Sequence, residues 1–391
     1  MTPGARVAAA IEILDALADD APVEAVLTRW ARGNRFAGSK DRAAIRDHVF
    51  DVLRQYRSSA FAGGGTDGRS LMIGQMRLKD TPLDQTFHGQ GHAPDPVEAT
   101  VAAALPDLQT MPPEAALDMP DWLVEQMTQD LGQQVAHDIC RIQRQRAPVF
   151  LRVNSAKASV PQAIAALQQD GILGQALEAV PTAVQLDQNV RGVRNTAAFT
   201  SGLVELQDAS SQAMVLNLPL RAGQRVLDFC AGGGGKSLAM AAIPNVKVVA
   251  SDVSAARMTD IPARAARAGA TIDVVVQQDL AARAPFDVVL VDAPCSGSGT
   301  WRRSPQAKTR LTPEALTELT ELQSEVLIQA AQHVAAGGQL AYATCSVLEV
   351  ENSGVIEVFL KKNKDFKAVS RASWLPSGSG DGFFLTILQR D

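Results

Sequence analysis

The sequence predicts an α/β protein: a doubly wound, Rossmann-like parallel sheet preceded by a small α+β module and a helical N-terminal module. Three observations predict it. From Arg225 onward, short β-branched apolar runs alternate with helical stretches, the pattern of a parallel sheet covered on both faces. An acid stands at or near the end of several of those runs. The first third carries helical periodicity that gives way to strand-like runs at Pro148. A chain of 391 residues is long for one core, and ~150 residues per domain allows two or three. The expected boundaries are 1–144, 145–210 and 211–391.

In the first module, Val7, Ile11, Leu14 and Leu17 recur at helical spacing, then Val23, Val26 and Leu27, then Ile45, Val49, Val52 and Leu53. The stretch from Ser39 to Asp41 supplies an N-cap for the third helix. Residues 62–96 are rich in glycine and turn formers and read as an irregular middle with one short apolar stretch at 71–78. His88 and His92, separated by glycines, read as loop residues. Pro120 opens a helix expected to last to about Arg144. Residues 149–153 then form a strand and 160–170 a helix stopped by Gly171, with short strands to about 206. In the last module the expected strands are 225–229, 247–252, 272–277, 286–292 and 339–344, with 382–389 as a terminal edge strand or hairpin.

Composition narrows the class. With 46% hydrophobic and 20% charged residues the chain is globular. No apolar run reaches the roughly 18 residues of a membrane helix, and acids at Glu12 and Asp15 break any signal-peptide pattern. A cytoplasmic monomer without membrane contact is expected. The four cysteines are widely spaced with no Cys-x-x-Cys pair, which argues against zinc and against a disulfide framework. Net charge is −5, yet basic residues cluster at 29–46, at 141–157 and at Arg302, Arg303, Lys308 and Arg310. Charge distribution, more than its sum, bears on a nucleic-acid partner.

The run Val226-Leu227-Asp228-Phe229 passes into Cys230-Ala231-Gly232-Gly233-Gly234-Gly235-Lys236 before a helix. Glycines there let backbone approach a ligand closely, although such a turn serves phosphates, dinucleotides and adenosylmethionine alike. It is not a Walker loop, because Cys230 stands where the first glycine is needed. Asp252 at the next strand end can accept from both ribose hydroxyls, and Asp279 after the third can meet an adenine amino group. Asp292 closes the fourth strand. In open α/β sheets, ligands bind outside these carboxyl ends.

Asp292-Ala293-Pro294-Cys295 and Thr344-Cys345-Ser346 would place two cysteines at that same edge. One cysteine there is ordinarily core filling. Two beside a nucleotide-type pocket point to chemistry. Carbon 5 of cytosine is a poor nucleophile until a thiolate adds at carbon 6. Asp292 could hydrogen-bond the protonated N3 and amino edge, and a base must later remove the carbon 5 proton. The spacing does not say which cysteine attacks. A target inside a duplex would have to be unpaired or flipped.

These residues resemble the RsmB and Nop/Sun-type RNA 5-methylcytosine methyltransferases. The resemblance rests on residues 203–212, on 228–236, on Asp252 with Arg257, on Asp292 to Gly297, on Tyr342 to Ser346 with Glu351-Asn352, and on Asp381 to Phe384. It implies a class I methyltransferase domain, S-adenosyl-L-methionine as cofactor, and RNA as partner. The cofactor would lie on Cys230 to Lys236, Asp252, Arg257, Asp279 and Asp292. Attack is implied for Cys345 and release for Cys295, with ribosomal RNA favoured over transfer RNA. The helical module resembles the NusB-like RNA-binding module of bacterial members, and 145–210 their small RNA-contacting domain. Two departures stand out. Gly232-Gly233 replace the family's Ala-Pro, and Gln306 and Lys308-Thr309-Arg310 follow Pro305 where an Asp and an aromatic residue are usual. Rival readings are a non-catalytic RNA-binding factor on this fold and a nitrogen methyltransferase. The latter would carry an Asn/Asp-Pro-Pro-aromatic run where Asp292-Ala293-Pro294-Cys295 stands.

Overall fold

The computed structural model describes residues 1–17, 21–187 and 190–391. They form two compact units, 1–146 with 301–310, and 147–300 with 311–391. The helical unit begins with α1 (Pro3–Asp15), α2 (Val23–Gly33), α3 (Ser39–Arg54), α4 (Tyr56–Gly63) and α5 (Gly68–Leu78). Their apolar stripes meet in one core that includes Val7, Ile13, Trp30, Ile45, Val49 and Met72. The N-cap of α3 is Gly38, not Ser39 to Asp41; Asp41, three residues into the turn, accepts from the Gly38 N–H at 3.3 Å.

The glycine-rich middle is not irregular over 56–78. A Cβ on Gly63 would lie 1.8 Å from the Ser70 carbonyl oxygen, and one on Gly74 1.9 Å from that of Ser59. Here glycine marks two helix backbones in direct contact, which a turn-former count reads as loop. The expected helix from Pro120 to Arg144 is two, Asp121–Leu131 and Gln133–Gln143. They are separated by Gly132, whose φ of 83° a helix cannot continue.

Residues 301–310, expected in the third module, pack within the helical unit. Arg302 and Lys308 are 1% exposed. The Arg302 N–H donates to Gln143 Oε1 at 2.6 Å, Arg54 Nε donates to the Arg302 carbonyl at 2.7 Å, and Lys308 Nζ donates to the Arg54 carbonyl at 2.7 Å. Burial pulls Lys308 down to about 8. Two of the four cations in that basic stretch are therefore structural.

In the second unit, β1 (Val149–Val153), β2 (Gly174–Ala176), β3 (Ala183–Leu186) and β4 (Val204–Leu206) make an antiparallel sheet in the order β2-β3-β1-β4. The helix Val160–Gln169 packs on it and ends before Gly171, whose φ is 72°. The larger sheet comprises β5 (Arg225–Asp228), β6 (Lys247–Ala250), β7 (Ile272–Val274), β8 (Phe286–Asp292), β9 (Val334–Thr344), β10 (Phe366–Trp374) and β11 (Phe383–Arg390). Its order is β10-β11-β9-β8-β5-β6-β7. The strands β5 to β9 run parallel, and the β10–β11 hairpin closes one side antiparallel. Thus 383–390, expected as an edge strand or hairpin, is the inner strand of a hairpin, and the outer strand is β10.

Alternate residues of β8 feed two cores. Val289 and Val291 join Leu227, Leu340 and Tyr342 on one face, while Val288 and Leu290 join Val226, Val248 and Ala341 on the other. Two-sided burial is why these strands read as unbroken apolar runs. Among the described residues, no helix is long and apolar enough to cross a membrane.

The glycine contact between α4 and α5 is directly testable. Gly74→Ala should cost roughly 3 kcal/mol or more, because the clash is with backbone. Gly33→Ala, where an added Cβ meets nothing within 4 Å, should cost none. Urea midpoints for the two variants measure the difference; equal midpoints would contradict the close packing.

Candidate active site

The site is built on the carboxyl ends of β5, β6, β8 and β9. Asp228 ends β5 and is 1% exposed. Ser237 Oγ donates to its Oδ2 at 2.5 Å, while Oδ1 has no hydrogen-bond partner among the described residues. Burial, only partly offset by Ser237, pushes this carboxyl up to about 6. The chain then turns: the Gly234 N–H donates to the Ala231 carbonyl at 2.8 Å, with φ of 51° at Gly232 and 78° at Gly234. The Gly232 N–H donates to Asp252 Oδ2 at 2.9 Å. A positive φ at Gly232 is what a side chain there would strain.

Asp252 lies two residues past β6 and is 3% exposed. Besides Gly232 it accepts from the Ser254 N–H at 3.0 Å and pairs with Arg257 Nη1 at 3.2 Å. Beside it opens a cleft of about 600 Å³ lined by Phe229, Asp252, Val253, Ala255, Val276 and Gln277 among others. Val253 is 83% exposed and offers an apolar platform for a planar ring. Asp279 is not part of this cleft lining. The strand expected over 272–277 stops at Val274, and Asp279 sits exposed in the 3-10 turn Gln277–Ala282. The early end of β7 moves the lining role to Gln277 and Gln278.

Asp292 and Lys236 form an ion pair at 2.6 Å. Burial alone would lower the Lys236 ammonium, but Asp292 outweighs it and holds the amine above its ordinary range. Next to this pair, Cys295 Sγ and Cys345 Sγ lie 3.4 Å apart. The two thiols divide their protons unequally. The hydrogen bond to Cys345 and burial push Cys295 well above the ordinary thiol range. Cys345 is held below it by the hydrogen bond from Cys295, with Lys236 and the Thr300 hydroxyl assisting against burial and Asp292.

What holds the two cysteine loops together is Glu351, which is 0% exposed. Its carboxylate accepts from the Ser296 N–H at 2.8 Å, from Ser296 Oγ at 2.5 Å, from Gln323 Nε2 at 2.9 Å and from Ser346 Oγ. Gln323 also donates to the Pro294 carbonyl at 2.9 Å, and the Tyr342 hydroxyl donates to the Glu351 carbonyl at 2.7 Å. Asn352 accepts from Thr344 Oγ1 at 2.6 Å and donates to the Ser346 carbonyl at 3.1 Å. Backbone joins the loops too: the Gly299 N–H donates to the Cys345 carbonyl at 2.9 Å. Glu351-Asn352 was legible as a motif. Gln323, in mid-helix, and Ser237 carried no sequence signal beyond polarity at a helical position.

The cofactor expected from the sequence fits these residues. The backbone of Gly232 reaches Asp252 at the cleft, the buried Asp252 carboxylate is fixed by three donors, and Asp228 Oδ1 is left without a partner among the described residues.

Comparisons with known proteins bear on the same residues. The family described as 16S rRNA methyltransferase RsmB/F matches residues 213–386, and the RsmF/B-like ferredoxin-like domain matches 119–192. The ribosomal RNA small subunit methyltransferase B of Escherichia coli O6:K15:H31 is 34% identical over 283 residues, 69% of this chain and 66% of that protein. The Citrobacter koseri protein of the same name is 34% identical over 289 residues, 70% of this chain and 67% of that one. The chain thus spans about two thirds of the length of these curated relatives. Among solved structures, that of PH0851 superposes with a TM-score of 0.77 at 25% identity, covering 100% of this chain and 99% of that one. A methyltransferase homolog from Pyrococcus horikoshii has a TM-score of 0.62 at 23% identity, covering 72% of this chain and 100% of that one, a likeness of fold.

Replacing the Glu351 carboxylate by an amide turns one acceptor into a donor facing donors. Glu351→Gln should lower stability by about 3 kcal/mol and raise the reactivity of both thiols toward a bulky alkylating reagent. Denaturant titration and timed mass spectrometry check this; wild-type values in both would remove Glu351 as the pin.

Proposed function

Because the chain belongs to the RsmB/F family of 16S rRNA methyltransferases, we propose that it methylates carbon 5 of a cytosine in RNA, ribosomal RNA before other classes, through a bond between Cys345 and carbon 6. The observation that carries this reading is the unequal thiol pair, Cys345 lowered and Cys295 raised, beside the Lys236–Asp292 ion pair. S-adenosylmethionine, when bound, supplies an electrophilic methyl group. Asp252, the 230–236 turn and the cleft at Val253 are the residues that would hold it, with Arg257 braced on Asp252.

Each remaining task falls to a side chain of this protein. Cys345, the thiol of the pair that ionises more readily, adds as thiolate to carbon 6 and pushes electron density to carbon 5. Asp292, fixed by Lys236, accepts from the amino group and from N3 once that nitrogen takes a proton from solvent, which it gives back when the adduct breaks down. After transfer the carbon 5 proton must leave so that the carbon–sulfur bond can break and Cys345 depart as thiolate. Cys295 stands beside that bond. With Cys345 consumed as a thioether, the negative neighbour that holds Cys295 protonated is gone. Cys295 can then lose its own proton and assist the release. A non-catalytic role would leave this arrangement of four ionisable groups without a task.

RNA as partner is supported on the helical unit as well. A cleft of about 670 Å³ there is lined by Arg32, Arg35, Arg42 and Arg46, with Trp30 also in its wall and Glu24 its one carboxylate. Arg46 is paired to Glu24, whereas Arg32 and Arg35 have no partner among the described residues and project to solvent. Guanidiniums so arranged suit phosphates.

Labelled S-adenosylmethionine and small-subunit ribosomal RNA, with nucleoside analysis, test the reading. Wild type should yield 5-methylcytidine. Cys345→Ala should lose activity by more than ~1,000-fold while binding S-adenosylhomocysteine as wild type does. Activity retained in Cys345→Ala, or label on the amino nitrogen, would overturn it.

A further inference from the structure

The cofactor turn of this chain has four successive glycines, of which Gly232 and Gly233 stand where the family carries Ala-Pro. Both of these positions are flanked by guanidiniums. A Cβ on Gly232 would lie 3.2 Å from Arg257 Nη2, and one on Gly233 3.3 Å from Arg264 Nη1. The two arginines are not equivalent. Arg257 pairs with Asp252, part of the site already described. Arg264 reaches over from the helix Ile261–Ala268 and donates from Nη1 to the Gly233 carbonyl. Its Nε faces Glu205 Oε2 at 3.5 Å, and Arg267 holds that same oxygen at 2.5 Å. Glu205 belongs to β4, so this line of contacts ties the turn to the four-stranded sheet.

Within the turn itself, Gly233 has little to hold its backbone. Its N–H makes no hydrogen bond among the described residues, unlike those of Ala231, Gly232 and Gly234. It is exposed, and its φ is not positive. A glycine so placed loses the most conformational freedom when a ligand fixes the turn. The Arg264 guanidinium removes part of that freedom in advance.

We propose that Arg264 is a positioning residue for the cofactor, a guanidinium brace that holds the Gly232–Gly233 turn through the Gly233 carbonyl and anchors it to Glu205. It touches no reacting atom. Its contribution is to cofactor affinity, by keeping the turn in its binding conformation. The same geometry explains why a turn of consecutive glycines can serve here: the restraint comes from outside the turn rather than from a ring or a Cβ within it. The proposal rests on the reading that this turn binds S-adenosylmethionine.

Calorimetric titration with S-adenosylhomocysteine tests it without RNA or turnover. Arg264→Ala should weaken binding about 5-fold, less than the full worth of a charge-assisted hydrogen bond because the brace acts on the turn and not on the ligand, with the ligand-free thermal midpoint unchanged. Gly233→Ala stiffens the turn from within, and its Cβ has open space once the guanidinium is gone. In the Arg264→Ala background it should therefore recover at least 2-fold, a gain it does not give in wild type, where it presses on Arg264. Should Arg264→Ala not fold, Arg264→Lys, which keeps the charge but not the fork, should show about a 3-fold loss. Wild-type affinity in the Arg264 variant, or no recovery in the double variant, overturns the brace. No binding by wild type would instead overturn the cofactor reading itself.

Discussion

A carboxylate buried without a cation, Glu351, is the constraint on which the chemistry of this fold depends. Taking it out of water is costly unless its lone pairs are filled, and they are filled from both cysteine loops and from a helix at once. Any separation of the loops strands a charge in the interior. This is why two short segments, which follow β8 and β9 and are 50 residues apart at their sulfurs, keep their thiols at 3.4 Å. Hydrogen bonding here sets a distance that apolar packing alone would leave loose.

That distance has an electrical consequence. Two thiols in contact do not readily ionise together, so which of them gives up a proton first is decided by the surroundings. Lys236 and Thr300 favour negative charge on Cys345, and Glu351 disfavours it on Cys295. Lys236 is itself held charged by Asp292. The ion pair, the thiol pair and the pin form one connected arrangement, and removing any member changes the state of the others.

Much of this was legible in the residues. The parallel strands announced themselves because burial on both faces leaves no polar alternation, and Asp228, Asp252 and Asp292 marked the carboxyl edge of the sheet. Three things were hidden. Close helix packing at Gly63 and Gly74 looks like loop composition, since glycine serves both. Asp279 was placed by counting along a strand that ends early. Arg302 and Lys308 read as part of a basic cluster bearing on a nucleic-acid partner but are buried, bonded to Gln143 and Arg54. The division of labour between the cysteines could be taken only from a resemblance. The asymmetry of their surroundings now supports it on physical grounds.

The central claim is that Cys345, not Cys295, bonds to the base, and one measurement addresses it most directly. RNA carrying 5-fluorocytidine has no carbon 5 proton to lose, so an adduct formed during methyl transfer should persist. After incubation with wild-type protein and S-adenosylmethionine, digestion and peptide mass mapping locate the attachment. The account predicts nucleotide on the peptide that contains Cys345. Attachment at Cys295, or no adduct despite methyl transfer to unmodified RNA, would contradict it.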